Sequence, residues 1–177
     1  FTLQNFIYFC HYTFMKRPIT FIAIIIFQIL FSTNTWSADL KKGATAYKDG
    51  DYAAALREWK PLASQGNAKA QFFLGNMYYK GIGVTQDDGI AAKWFKKAAE
   101  QGLTNAQNNL GTMYMRGLGV PRNNIRAFIW LHITALQGSK VGIKNRDLVA
   151  KIMSKNQIIR AEELAQECKK KKYKGCY

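Results

Sequence analysis

The sequence is poor in proline, histidine and acidic residues. Its 177 residues include 3 Pro, 14 Gly and 2 His, and 11 Asp and Glu stand against 26 Lys and Arg. This composition excludes a collagen-like or proline-rich spacer, and 48% apolar content with 14% aromatics excludes a disordered chain. We therefore expect one globular domain with a packed core. The net charge of +15 predicts attraction to acidic polymers, anionic membrane surfaces or acidic proteins, without choosing between them.

A hydrophobic run long enough to cross a membrane is also missing. The apolar stretch over residues 19–31 has 13 residues and is interrupted by Thr20 and Gln28. A membrane-spanning helix needs about 20 apolar residues. A permanent transmembrane anchor is therefore the less favoured interpretation of this stretch.

The flanks of the stretch have the layout of a secretory signal peptide. Two cations precede it and small residues follow it, so we predict a signal peptide over residues 15–38 that is cut after Ser37 or Ala38. Residues 1–14 precede the first plausible start, Met15, and are interpreted as a leader upstream of it. The predicted location is periplasmic or secreted, and retention of the segment as an anchor is the alternative.

A repeat of 36 residues organises the rest of the chain. At an offset of 36, residues 67–102 and 103–138 agree at 14 positions. Within each unit the shared residues fall at helical spacing, which predicts a hairpin of two helices. Gly81 is expected to end the first helix, and Asp87 or Asp88 to cap the second. Stacked hairpins of this kind form a solenoid.

The repeated strings resemble the Sel1-like repeat (SLR) family. The resemblance rests on AQFFLGNMYYKGIGV at residues 70–84 and on Asp88, Ala91 and WFKKAAEQG at residues 94–102. It implies an all-α, right-handed solenoid of stacked hairpins, similar to tetratricopeptide repeats, with about three helix pairs and a C-terminal capping pair. It also implies a non-enzymatic exported scaffold that mediates protein–protein or protein–peptide interaction in the bacterial envelope through its concave face.

The resemblance divides the predicted mature chain into four parts. These are a degenerate N-terminal helix pair at 39–66, SLR repeats at 67–102 and 103–138, and C-terminal capping helices with a cysteine pair at 139–177.

Residues that could carry catalysis or hold a metal are scarce. After the predicted signal peptide the sequence contains a single His, His132, and no second His or Cys stands at ligand spacing from it. We therefore assign no catalytic residue, metal or cofactor. The strings at 81–84 and 117–120 follow helices and lack a following Lys-Ser/Thr, so they are predicted turns rather than phosphate-binding loops.

A second function stays open through the same resemblance. Some cysteine-rich exported SLR proteins carry a β-lactamase or penicillin-binding label, so a protein that associates with peptidoglycan or binds a β-lactam is the alternative. No Ser-x-x-Lys motif follows residue 38 to support that activity.

Two cysteines remain in the predicted mature chain, Cys168 and Cys176. Their spacing equals that of Ala98 and Ala106, where the second helix of one repeat meets the first helix of the next. The resemblance to cysteine-rich SLR proteins implies a disulfide here, as export would favour. Such a short loop would stabilise the fold by about 2–3 kcal/mol at most. A metal or redox pair is the alternative.

The densest charge of the chain lies between these cysteines, at Lys169, Lys170, Lys171, Lys172 and Lys174. A run of charge is typical of a solvated face. As a binding site it would suit an anionic lipid or a cell-wall polymer, whereas nucleic acid is not expected as a partner of an exported protein. We expect a monomer.

The concave face of the solenoid is the predicted binding surface. Its residues lie opposite the packing faces of the first helices: Lys69, Phe72, Asn76 and Lys80 in one repeat, and Asn105, Asn108, Asn109, Thr112 and Arg116 in the next. The resemblance to tetratricopeptide grooves implies that Asn and basic side chains hold the main chain and carboxylates of an extended peptide. Ordinary polar surface is the alternative. Phe73 stands where the next repeat has Asn109 and is expected to pack on the preceding helix pair.

The closing segment is predicted to be two helices. Ser154 and Gln157 form a capping-box signature before a helix with a single apolar face, and another helix is expected over residues 140–153. The face comprises Ile158, Ala161, Leu164, Ala165 and Cys168. We expect the last helix to seal the open end of the stack, because a terminal repeat otherwise exposes apolar surface.

Overall fold

A computed structural model describes residues 38–176, which form eight α-helices and no strand. The helices are α1 (Leu40–Lys48), α2 (Tyr52–Ser64), α3 (Ala68–Lys80), α4 (Asp88–Ala99), α5 (Thr104–Arg116), α6 (Asn124–Leu136), α7 (Lys140–Ala150) and α8 (Lys155–Lys170). None of these helices is long and apolar enough to span a membrane. The predicted leader and all of the predicted signal peptide before Ala38 lie outside the described residues.

Side-chain caps define where most of the helices begin. The residue before the helix accepts a backbone N–H bond from the first turn in every case except α5, where Leu103 has no capping side chain. Asp87, rather than Asp88, caps α4 by accepting from the Ile90 N–H at 2.7 Å. Gly81 ends α3 in the left-handed conformation with φ +66°.

The helices pair as hairpins and the hairpins stack in chain order. Helix α1 packs on α2, α3 on α4 and α5 on α6, and each second helix also packs on the first helix of the next pair. Small residues allow this close approach: a Cβ at Gly75 would lie 2.7 Å from the Phe95 ring, and one at Gly111 would lie 2.7 Å from Leu131 Cγ. The predicted all-α solenoid of three helix pairs and two closing helices is confirmed.

The loops between paired helices contact the preceding hairpin. Gly83 and Gly119 are equivalent loop residues, both with positive φ. A Cβ at Gly83 would overlap the side chain of Tyr52, and a Cβ at Gly119 would overlap the backbone of Asp88 and Gly89. Glycine is therefore required at these loops both for the backbone angle and for the distance between repeats.

The closing helices differ in part from the expectation. Helix α7 ends at Ala150, three residues before the predicted limit, and Ser154 and Gln157 form both bonds of the capping box. The buried residues of α8 pack against α6, whereas α7 packs against α6 and α5. The apolar face of α8 is thus buried as predicted. It packs on α6, however, and leaves one side of α7 open.

The core consists of two hydrophobic clusters. The first joins α2 and α3 through Trp59, Leu74 and Met77. The second extends from α4 to Cys176, beyond the end of α8, and includes Phe95 and Trp130, both almost fully buried. Each cluster contains large aromatic side chains, which bury much apolar area per residue.

Candidate functional site

The first helices of successive repeats are in the same register. Helices α3, α5 and α7 begin at residues 68, 104 and 140, and each follows a glycine with positive φ. These glycines are Gly66, Gly102 and Gly138. Residues 36 apart on these helices are therefore structurally equivalent, and the predicted concave-face residues of α3 and α5 form matching rows.

On α3 the predicted site is basic at its ends and aromatic in the middle. Lys69 and Lys80 are exposed, and Asn76 is half-buried with its Nδ2 donating to the Phe72 carbonyl at 3.0 Å. Phe72 is half-buried, and its ring centroid lies 5.9 Å from the ring of Phe95. Phe72 thus contributes to the core as well as to the surface.

On α5 the site is a row of amides ending in a cation. Asn105 and Arg116 are exposed, and Asn108, Asn109 and Thr112 are half-buried. Thr112 Oγ1 donates to the Asn108 carbonyl at 2.9 Å, so that hydroxyl is engaged within its own helix. The side chains of Asn105 and Asn109 form no hydrogen bond to another residue within 38–176, so their amides can pair with a ligand.

Phe73 lies against the preceding hairpin. Its ring is stacked on Trp59, with centroids 4.5 Å apart and an interplanar angle of 24°. The structure thereby shows the packing expected for Phe73, and the amide row begins only at α5.

The cations of this surface have no acidic partner among the described residues. The ion pairs found in 38–176 are Lys96–Glu100, Arg146–Asp147 and Arg160–Glu163. None of them includes Lys69, Lys80 or Arg116, so these three charges can pair with carboxylates of a ligand.

Glutamines link neighbouring repeats, a role that the sequence analysis did not assign. Gln107 is fully buried; its Nε2 donates to the Ala99 carbonyl at 3.1 Å, and its Oε1 accepts from Gln137 Nε2 at 3.2 Å. Gln71 and Gln101 form the equivalent bond one repeat earlier, at 2.8 Å. Gln71 also donates to the Ala63 carbonyl at 3.0 Å, so Gln71 and Gln107 join neighbouring units, whereas Gln101 and Gln137 bond to the glutamine of their own repeat. The identity of these glutamines at an offset of 36 was the available signal, but only the packing shows their bonds.

Cys168 and Cys176 are joined by a disulfide, with their Cα atoms 5.3 Å apart. The local geometry repeats the junctions between hairpins: the Tyr173 N–H donates to the Cys168 carbonyl, as the Leu103 N–H donates to the Ala98 carbonyl. Lys172 has φ +51° and occupies the position of a junction glycine. The structure thus places the cysteines where Ala98 and Ala106 meet in the repeat.

The predicted lysine run is exposed around this disulfide. Lys169, Lys170, Lys171, Lys172 and Lys174 are all solvent-exposed. Tyr173, between them, is half-buried, and its hydroxyl accepts from Gln137 Nε2 at 3.4 Å. The ammonium groups of the run therefore face solvent at the end of α8 and in the turn that the disulfide closes.

His132 is a buried residue of the core on α6. It is 9% exposed and stacks on Phe128 with ring centroids 5.5 Å apart, and its Nδ1 has no hydrogen-bond partner among the described residues. Burial lowers the pKa of His132 below its usual value of 6.5; the Glu162 carboxylate opposes this shift, and Arg146 and Lys169 add to it. No group of three or more potential metal ligands occurs within residues 38–176.

A surface pocket lies outside the predicted site. It has a volume of about 490 Å³ and runs along α4. Its lining comprises Ile90, Lys93, Trp94, Lys96, Lys97 and Glu100. Lys97 Nζ lies 4.7 Å from the Trp94 ring centroid, and Lys96 pairs with Glu100 at 3.9 Å, so two of its cations already have partners.

The chain is similar to known repeat proteins. The Sel1 repeat family model matches residues 68–103 and 104–139. Sel1 repeats generally mediate protein–protein interaction. The comparison with curated proteins found no match.

Two solved structures resemble the described fold. One is c5321, a protective antigen present in uropathogenic Escherichia coli strains that displays an SLR fold; identity is 34%, the TM-score is 0.70, and the match covers 76% of this chain and 30% of that one. The other is a Sel1 repeat protein from Oxalobacter formigenes. Identity is 34%, the TM-score is 0.58, and the match covers 61% of this chain and 44% of that one. The chain thus spans less than half of the length of either protein.

Proposed function

We propose that this chain, which carries two Sel1 repeats and has the SLR fold, is a non-enzymatic scaffold that binds a protein or peptide partner in the bacterial envelope. The binding surface is the concave face formed by α3 and α5. The observation that carries this proposal is the row of exposed cations and of exposed or half-buried amides on two first helices in the same register. Asn105 and Asn109 supply amides for a peptide main chain, and Lys69, Lys80 and Arg116 supply charge for carboxylates.

The location in the envelope is supported by two features. Disulfides persist in oxidising compartments such as the periplasm, and Cys168 and Cys176 form one. The N-terminal segment has the layout of a signal peptide, which would direct the chain to that compartment.

A second candidate is association with the cell wall or with anionic lipid through the lysine run. The exposure of its five lysines beside a disulfide supports this candidate. A β-lactam-binding activity has no supporting feature among residues 38–176, where no Ser-x-x-Lys motif occurs.

Affinity capture from bacterial envelope extract tests the first candidate. The tagged chain is compared with the double variant Asn109→Ala, Arg116→Glu, and captured proteins are quantified by mass spectrometry. We expect a specific partner whose recovery falls about tenfold in the variant, because one charge-assisted contact and one amide contact are lost.

A matched control keeps the same change of composition and charge away from the concave face. The control is Asn156→Ala with Lys93→Glu, two exposed residues on α8 and α4. Equal losses in both double variants would contradict the concave-face assignment. Retention of lipid or wall polymer by all three proteins, released by salt, would favour the lysine run instead.

A further inference from the structure

Helix α6 packs on one more helix than its equivalent in the preceding repeat. Helices α4 and α6 begin at residues 88 and 124, one repeat apart, and each packs on the first helix of its own pair and on the first helix that follows. Helix α6 packs in addition on α8, whereas among residues 38–176 α4 packs extensively only on α3 and α5. The place that α8 takes on α6 is therefore open on α4.

Residues 36 apart show which side of α4 is open. Ile129 and Ile133 of α6 are buried, whereas their equivalents on α4, Lys93 and Lys97, are exposed. The helices that flank α6 in the stack have counterparts beside α4, so the burial of this side of α6 comes from α8. A spacing of four residues keeps Lys93 and Lys97 on one side of their helix.

The open side of α4 is the surface that lines the pocket along this helix, and it combines apolar and basic groups. Ile90 and Trp94 line the pocket and are half-buried, so part of their apolar surface meets solvent. Lys93 belongs to none of the ion pairs found in 38–176. Lys97 lies over the Trp94 ring, and an ammonium group in that place keeps N–H donors for a carboxylate. We call Ile90, Lys93, Trp94 and Lys97 the outer face of α4.

The preceding second helix carries the same charge at equivalent positions. Arg57 and Lys60 of α2 lie 36 residues before Lys93 and Lys96, and both are exposed. Neither belongs to an ion pair within the described part of the chain, whereas Lys96 pairs with Glu100. Cations therefore recur on two successive second helices, and they attract acidic partners to this side of the stack.

We propose that the outer face of α4 binds an acidic amphipathic helix of a partner protein, in the place that α8 takes on α6. The apolar side of this helix contacts Ile90 and Trp94, and its carboxylates pair with Lys93 and Lys97. Charge complementarity selects an acidic sequence, and the packing of α8 on the equivalent helix supports a helix as the occupant. The inference goes beyond the proposed function, because this surface lies outside the concave face.

The outer face also sets the pattern of the partner helix. Lys93 and Lys97 are four residues apart, which is about 6 Å along the helix axis. A helix packed alongside matches this distance with carboxylates three or four residues apart, beside an apolar row of the same period. The pocket extends from residue 90 to residue 100, about 15 Å of helix, so about three turns of the partner helix cover it.

Three synthetic peptides test the proposal on the full chain. The first is a fluorescently labelled amphipathic helix of 16 residues, the length of α8, with a leucine face flanked by glutamates. The second has the same composition in a scrambled order that removes the leucine face, and the third has lysines in place of the glutamates. Anisotropy titration should show the first binding at least about tenfold more tightly than the other two. Equal binding of the ordered and the scrambled acidic peptide would overturn the proposal, because negative charge alone would then explain the affinity.

Reversal of the charge of the outer face locates the site. Lys93→Glu with Lys97→Glu should weaken the acidic amphipathic peptide at least about tenfold and strengthen the basic one, because the face then attracts cations. The matched control is Lys140→Glu with Lys144→Glu, two exposed lysines of α7 that are also four residues apart. This control changes the net charge equally and should alter the affinity less than about twofold. Equal weakening by both double variants would overturn the proposal.

The remaining outcomes separate this inference from the proposed function. An acidic peptide that loses affinity in Asn109→Ala, Arg116→Glu but not in the α4 double variant lies on the concave face, which would overturn the inference and leave the proposed function intact. No binding of the acidic amphipathic peptide would overturn the inference alone, since capture at the concave face is measured separately. Binding that only the α4 double variant weakens would support the inference even if the concave face captures no partner. Lys93 lies outside the concave face, so its substitution is a test here and a control there.

Discussion

Two buried polar residues differ in whether their polar atoms are paired. Gln107 satisfies a carbonyl of the preceding helix, whereas His132 leaves its Nδ1 unpaired in an aromatic environment. Sequence comparison could identify Gln107 as a repeated residue, because its partner recurs at the same offset. It could not reveal the unpaired atom of His132, which depends on the packing of α7 and α8 around α6.

The stability of the fold should depend on the ionisation of His132. Its pKa in the folded chain is lowered by burial, whereas the unfolded chain has the ordinary value of about 6.5. The unfolded state therefore binds more protons between these two values, and the free energy of unfolding falls as the pH drops below about 6.5. Above that pH the contribution is fully present.

His132→Phe should remove this dependence. Chemical unfolding at about pH 7.5 and about pH 5.5 is expected to show a smaller loss of unfolding free energy in the variant than in the parent chain. Phe fits the apolar surroundings and leaves no polar atom unpaired. Parallel pH profiles of the two chains would show that other groups cause the loss.

At the scale of helices and loops, the helix pairs could be predicted from the sequence because the same residue spacing occurs in both repeats. The shared Ala, Gly and Trp positions predicted the hairpins, and Asp87 and Gly81 lie at the helix ends that they predicted. The helix that α8 packs on could not be predicted, since an apolar periodicity defines a buried face but not the helix that covers it. One side of α7 is open because α8 packs on α6 instead.

The loop of the second repeat should be more sensitive to substitution than an open helix junction. Gly119 and Gly138 both have positive φ, at +65° and +83°, but a Cβ at Gly119 would overlap the Asp88 backbone whereas one at Gly138 meets nothing within 4 Å. Gly138→Ala is expected to cost about 1 kcal/mol of unfolding free energy from the backbone angle. Gly119→Ala should cost about 3 kcal/mol, because backbone atoms cannot move aside without shifting a repeat.

Urea unfolding followed by circular dichroism measures both costs. The Gly138 variant controls for the backbone angle, so the difference between the variants reports the contact between repeats. Equal costs would mean that the loop of the second repeat can move away from α4 freely.

At the scale of the whole stack of helices over residues 38–176, the core is divided into two clusters. Trp59, Leu74 and Met77 belong to the cluster of the first helices, and the second cluster extends from α4 to Cys176. In a solenoid each unit contacts mainly its neighbours, so a perturbation at one end should weaken with distance. The number of stacked helix pairs could be predicted from the repeat. The division of the core into two clusters could not, because it depends on which large side chains contact each other.

Removal of the disulfide tests this division. Cys168→Ala with Cys176→Ala should lower the stability of the second cluster by about 2 kcal/mol, through a less constrained unfolded state. Amide exchange in the native state is expected to accelerate in α8 and α6, which α8 covers, and to stay unchanged in α1 and α2.

Hydrogen exchange with peptide-level mass spectrometry measures this response in the full chain, where Cys10 is the same in both proteins. A control variant at the other end, Trp59→Leu, should accelerate exchange in α1–α3 and leave α8 protected, because Trp59 stacks on Phe73 and lies in the first cluster. Equal acceleration of all eight helices by either change would show that the stack unfolds as one cooperative unit. Responses confined to the end that carries each substitution would mean that the two ends of the stack open independently.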